Sequence, residues 1–185
     1  MRYWLFKTEP ACFSFDDLWR SPGRRCGWEG VRNYQARNFM LRDASIGDGI
    51  LFYHSSCEPP GIAGLAEVAS KPYPDPTQFD PRDPHFDATS TREEPRWHQV
   101  DVRALRPLPR FVALEELRAQ PSLAGLELLK RGSRLSILPV SAAHWAEILA
   151  LAGSQAPAAS RAPSELRARP TRARASAPKT AKKKT

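Results

Sequence analysis

The chain has few of the residues on which most active sites are built. Its three cysteines, Cys12, Cys26 and Cys57, lie far apart and form no C-x-x-C pair. That leaves neither a zinc ribbon nor a dithiol redox motif, and fits free thiols in a reducing compartment. The four histidines, His54, His85, His98 and His144, never recur at ligand spacing, and neither H-E-x-x-H nor G-x-S-x-G occurs. A phosphate-cradling glycine loop is also missing; "GDGILF" is a turn running into a strand. No apolar run approaches the ~20 residues that span a bilayer. The opening "MRYWLFKTEP" lacks the apolar stretch of a secretory signal. These absences predict no catalytic set, no metal, no cofactor and no membrane partner. They place the chain in the cytoplasm, with association to a bacterial nucleoid left open. Lysine is scarce before the C-terminal tail, at Lys7, Lys71 and Lys130 alone, while arginine is plentiful; this hints at a GC-rich bacterial genome.

Charge is distributed unevenly. The net charge is +8, from 28 basic and 20 acidic residues. Nine of the basic residues and one of the acidic ones fall within 154–185, which leaves nineteen of each in 1–153. The body is therefore neutral and the tail carries the whole excess. A neutral body argues against a broad phosphate-binding face but permits a local basic groove. The tail is rich in Ala, Pro, Ser, Arg and Lys and has no aromatic residue. Such a composition cannot bury enough surface to order itself, so a disordered segment 154–185 is expected after a folded domain 1–153.

The chain is 41% apolar, and five Trp, four Tyr and eight Phe, all before the tail, supply a core. The pattern predicts a strand at 2–7 and a helix from Ser14, whose hydroxyl can cap it with Asp17 three residues on. Asn33 is a suitable cap for a short helix over 34–41. A hairpin over 50–70, a strand over 96–105, helices over 113–120 and 123–132, a strand over 134–140 and a last helix after Ser141 complete the order. Segment 71–87 carries five prolines and reads as a long stiffened loop without regular structure. Short strands mixed with short helices indicate an α+β domain built on a small, partly closed barrel.

The unusual stretch is 28–38, "WEGVRNYQARN". Trp28 lies among glycines and a glutamate, which are poor core neighbours. It reads equally as a core tryptophan or as a half-buried platform on which a base stacks, at roughly 1–3 kcal/mol. Asn33, Gln35 and Asn38 are caps or satisfied loop amides on one reading and base-edge readers on the other. Arg32, Arg37 and Arg134 either face solvent or hold phosphate. Lys7 and Glu9 read as a surface ion pair, and Tyr53, His54 and Ser55 end a strand at a hydroxyl-rich turn. Asp75, Asp80, Asp83 and Asp87 could in principle meet a hard cation, but without EF-hand spacing solvated loop carboxylates are the stronger reading.

Eight blocks then carry a resemblance: "YWLFKTEP", "WEGVRNYQARNFM", "GDGILFYHS", "PPGIAGLAEV", "YPDPTQFDP", "PRWHQVDV", "LLKRGSRLSILPV" and "HWAEILAL" follow, in order, the pattern of the EVE-domain family. The resemblance implies a PUA-like fold, a small mixed β-barrel flanked by short helices, related to the YTH domain. It implies a non-enzymatic reader of modified nucleobases, chiefly 5-methylcytosine and related 5-modified cytosines in DNA, or a modified RNA base. It places the pocket at Lys7, Glu9, Trp28, Asn33, Tyr34, Gln35, Asn38, Tyr53, His54 and Ser55. Thr8 replaces a serine frequent in the family's first block and keeps the hydroxyl. A duplex base must be flipped to enter such a pocket, at a cost of roughly a few kcal/mol. A methyl in an apolar notch contributes only ~1–3 kcal/mol of selectivity. The tail adds salt-sensitive attraction to the phosphate backbone. Two other functions stay open on the sequence: a nucleic-acid-acting enzyme using the same pocket, with His54 or a loop aspartate as base, and a scaffold acting through the tail.

Overall fold

In the computed structural model, residues 1–132 and 134–153 are described; the expectation of a disordered basic tail lies outside them. Within them the strands β1 (Tyr3–Thr8), β2 (Arg25–Gly27), β3 (Gly49–His54), β4 (Gly61–Val68), β7 (Asp101–Ala113) and β8 (Ile137–Val140) form one sheet in the order β2-β7-β4-β3-β1-β8. Strands β5 (Tyr73–Pro74) and β6 (His98–Gln99) pair separately. The helices are α1 (Phe15–Arg20), α2 (Tyr34–Asn38), α3 (Leu114–Arg118) and α4 (Ala142–Gly153). This is an α+β fold whose main sheet curls into a half-barrel.

Both faces of that sheet are buried, which explains why β1 and β3 read as near-continuous apolar runs. Alternation sends Trp4, Phe6, Ile50 and Phe52 to one core, with Phe15, Leu18, Trp28, Val31, Ala36 and Met40. It sends Leu5, Leu51 and Tyr53 to the other, with Ile62, Leu117, Leu126, Leu138 and Ile148. Strands β1 and β3 are parallel, with Lys7 opposite Tyr53 and Thr8 opposite His54. Their C-terminal ends therefore emerge at the same end of the sheet.

Several expectations change: the 71–87 loop holds β5, and the single strand expected over 96–105 is divided between β6 and β7. Segment 25–27, expected as loop, is the short strand β2; Cys26 faces Val102, and Arg25 pairs with Asp101. Strand β7 runs on to Ala113 through Pro107 and Pro109. Beyond Arg103 it has a ladder only with β4, so the prolines lie where one side needs no donor. The helix expected over 123–132 is replaced by separate 3-10 turns at Pro121–Leu123 and Glu127–Leu129. Gly125 and the extended Leu126 break its period, and Leu123 and Leu126 are buried in the second core.

Candidate nucleic-acid interface

The ends of β1 and β3 bring together Lys7, Glu9, Tyr53, His54 and Ser55. Ser55 is clamped to the neighbouring strand: its N–H and its hydroxyl both donate to the Thr8 carbonyl, at 2.8 and 3.1 Å. Glu9 makes no ion pair with Lys7; its Oε1 accepts from Ser56 Oγ at 2.9 Å. The Lys7 ammonium is half-buried and, among the described residues, has no carboxylate or other acceptor bonded to it. Burial pushes its pKa below the ordinary lysine value. A desolvated cation without a counter-charge is costly in a fold unless a ligand supplies the acceptor.

Tyr53 is a core residue, 3% exposed, and burial raises its hydroxyl to about 12. His54 is committed as well. Its Nε2 accepts the Phe15 N–H at 3.0 Å, which satisfies an orphan donor in the first turn of α1. Ser14 caps the same turn by accepting the Asp17 N–H. Burial holds His54 below its ordinary pKa despite Asp16 and Asp17 nearby. The nitrogen that a general base would use is thus already occupied.

Trp28, read from the sequence as either a core residue or a half-buried platform, lies in the core. It is 7% exposed, with its ring 5.2 Å from Phe6 and edge-on to Phe52 at 5.4 Å. Apolar residues distant in sequence supply the core neighbours that the adjacent glycines do not. Trp28 walls the core directly beneath the residues that precede Lys7 and Tyr53.

The 33–38 residues form a second group on α2. Asn33 is an N-cap: its Oδ1 accepts from the Gln35 and Ala36 N–H groups. Asn38 Oδ1 accepts twice from Arg37. In both, only the amide NH2 remains for a ligand, so neither can offer a base edge the paired donor and acceptor expected of it. Tyr34 and Gln35 are exposed. Tyr34 stacks on Trp97, which the sequence pattern marks only as part of a strand.

Of the expected phosphate ligands, Arg32 is spent on structure. Its guanidinium pairs with Asp75 at 2.8 Å and also donates to Thr77 Oγ1 and the His85 carbonyl. Arg37 donates only to neutral oxygens among the described residues, and Arg134 is exposed ahead of β8.

Segment 71–97 is more structured than an irregular loop. Asp75, 1% exposed, accepts from Gly30 N–H, Arg32, and the N–H and hydroxyl of Thr77. The fully buried Gln78 donates to the Asp75 and Trp97 carbonyls and accepts from Trp97 N–H and Ser90 Oγ. Gly30, at φ +77°, lies so close to His85 that a Cβ there would come within 2.9 Å of the ring. These bonds lock the 28–32 stretch against the loop. The loop carboxylates are likewise engaged by protein donors: Asp80 by Arg82, Asp83 by His85, and Asp87 by Thr89 and Trp97. Among the described residues no group of three metal-binding side chains gathers, and no helix is long and apolar enough to cross a membrane.

A sequence model of the EVE domain matches residues 2–151. The chain belongs to the EVE-domain family. Thymocyte nuclear protein 1 of Gallus gallus is 40% identical over 166 residues, covering 80% of this chain and 68% of that protein. A Pseudomonas syringae protein of known structure is 47% identical with a TM-score of 0.77, covering 81% of this chain and 99% of its own. The human THYN1 protein in complex with 5-methylcytosine-containing DNA is 38% identical with a TM-score of 0.79, covering 84% and 100%. An EVE-domain relative of the same fold therefore binds methylated DNA.

Proposed function

We propose that this EVE protein binds nucleic acid and reads an extruded 5-modified cytosine at the shared end of β1 and β3, by binding rather than turnover. The observation that carries the reading is the half-buried Lys7 ammonium, which has no acceptor among the described residues. The Watson–Crick edge of a flipped cytosine offers two acceptors, N3 and O2, beside the N4 donor group. Lys7 donates to an acceptor of that edge. Ser55 Oγ and Glu9, with lone pairs to spare, lie at the same sheet end to accept from N4. The 5-substituent then meets apolar surface, where fit and dispersion discriminate. The complex formed by the human relative supports this class of ligand. The engaged Nε2 of His54 disfavours the enzymatic alternative. The protein works in the cytoplasm, where nucleic acid is accessible to it.

The test is a binding screen at fixed salt with single- and double-stranded DNA and RNA carrying cytosine, its 5-substituted forms or N6-methyladenine. Wild type is expected to prefer a 5-modified cytosine. Lys7→Gln should lower affinity for that oligonucleotide by about ten- to a hundred-fold, in line with the loss of a charge-assisted bond. Equal binding of all oligonucleotides by wild type, or undiminished preference in Lys7→Gln, refutes the reading.

A further inference from the structure

The exposed face of α2 holds an arrangement that base reading at Lys7 does not use. Tyr34 is 51% exposed, yet its ring is stacked on Trp97 at 4.9 Å and 25°. Trp97 is itself fixed: its Nε1 donates to Asp87 at 2.8 Å, and its backbone N–H and carbonyl are both bonded to the buried Gln78. A ring backed in this way stays at the surface and loses little freedom on taking a partner.

Arg37 lies 4.9 Å from the centre of the Tyr34 ring. Its guanidinium donates twice to Asn38 Oδ1, at 3.1 and 2.7 Å, and once to the Arg96 carbonyl at 2.7 Å. All three contacts go to neutral oxygens. They fix the position of the charge without cancelling it, and its field joins burial in holding His98 below its ordinary pKa. Arg96 adds a second guanidinium, 3.4 Å from Tyr34 Oη. The carboxylate that feels Arg96, Asp87, is already bonded to Thr89 and Trp97.

A half-exposed ring held on Trp97, with the Arg37 guanidinium over it and no carboxylate paired with that guanidinium among the described residues, suits a nucleotide. Base faces stack on aromatic rings whatever the sequence, and phosphate takes the charge. We infer that Tyr34, backed by Trp97 and flanked by Arg37 and Arg96, is a second nucleotide subsite. It takes an unpaired base and its phosphate from the strand that also delivers the extruded base. The inference rests on the reading that this protein binds nucleic acid, and adds a preference for unpaired over duplex flanks. Helix α2 is placed for this by Ala36 and Met40, which pack into the same core as Trp28.

The experiment titrates the full chain with short single-stranded DNAs that carry either one 5-methylcytosine or one cytosine, at several salt concentrations. Tyr34→Ala is expected to weaken both DNAs equally, by about 5- to 150-fold, with their affinity ratio unchanged and Tyr34→Phe near wild type. Arg37→Gln is expected to reduce the slope of log K against log salt by about one. Undiminished binding of both DNAs by a folded Tyr34→Ala overturns the subsite. So does a loss confined to the methylated DNA, which would place Tyr34 in the modified-base pocket. Should Tyr34→Ala fail to fold, an unchanged salt slope in Arg37→Gln overturns it. Indifference of wild type to methylation, together with sensitivity to Tyr34→Ala, sinks the modified-base reading and upholds this one.

Discussion

Replacing Asp75 by asparagine tests whether the 28–32 stretch is held in place by the 71–97 segment. The Asp75 carboxylate is 1% exposed and receives four donors, one of them from a guanidinium that is only one-fifth exposed. Asparagine keeps one acceptor oxygen for Thr77 but turns an NH2 toward the Gly30 N–H and Arg32. Removing one partner of a buried ion pair costs about 3–5 kcal/mol. Arg32 retains Thr77 Oγ1 and the His85 carbonyl, so the lower end, ~3 kcal/mol, is expected. For a domain of this size that corresponds to a fall of roughly 6–12 °C in Tm. Urea unfolding should show a lower midpoint with an unchanged slope. Combined with Arg32→Gln, the loss should be smaller than the sum of the single losses, because both remove the same pair. The pH dependence carries a sign of its own. Burial alone would raise the Asp75 pKa, but Arg32, Thr77 and Gly30 outweigh it and hold it below the usual carboxylate range. Its contribution is thus present at neutral pH and lost as pH falls through and below that range, and Asp75→Asn should lack this part of the acid loss. A stability change within ~0.5 kcal/mol, or strict additivity with Arg32→Gln, would refute the account.

Three further outcomes are expected. Burial depresses the pKa of both His54 and His98, so the unfolded chain takes up protons that the native chain refuses. Stability should hold above about pH 6.5 and fall as pH drops below it; His54→Gln should flatten the curve between about pH 7 and 5, checked by thermal melts. Trp28→Ala should destabilise by about 3–5 kcal/mol in urea, because the ring fills the core between Phe6 and Phe52; a loss under ~1 kcal/mol would show that the ring is not packed. Deleting residues 154–185 should lower affinity and flatten its salt dependence for every oligonucleotide while leaving base preference intact, because the excess of positive charge resides there.

The legible part of the fold was what local rules control. Ser14 and Asn33 cap the helices their sequence context indicated, and β1, β3 and β4 follow the apolar runs. What escaped was set by partners distant in the chain. Strand β2 has three residues and exists because β7 pairs with it, and β7 tolerates Pro107 and Pro109 because one of its sides is open there. The site divides in the same way. Residue types at 28–38 marked an interaction surface, but no local signal could tell that Phe6 and Phe52 enclose Trp28, or that Asp75 claims Arg32. Trp97 was missed as a partner of Tyr34 because 62 residues part Tyr34 from its neighbour Arg96, and only the Gln78 bonds fix that stretch beside α2. An aromatic next to arginine in "PRW" was the available hint.

The parallel pairing of β1 with β3 has one more consequence. The chain must leave β1 after Thr8 and travel back along that strand's length before it can begin β3 at Gly49, rejoining the sheet on the way only at its far edge, as β2. Everything between is one excursion whose two ends are pinned by six rungs of the ladder, and it contains Trp28, Arg32, Tyr34 and Arg37. Changes of length inside that excursion therefore leave both of its anchors in place, provided that its links to Asp75, Arg96 and Trp97 survive.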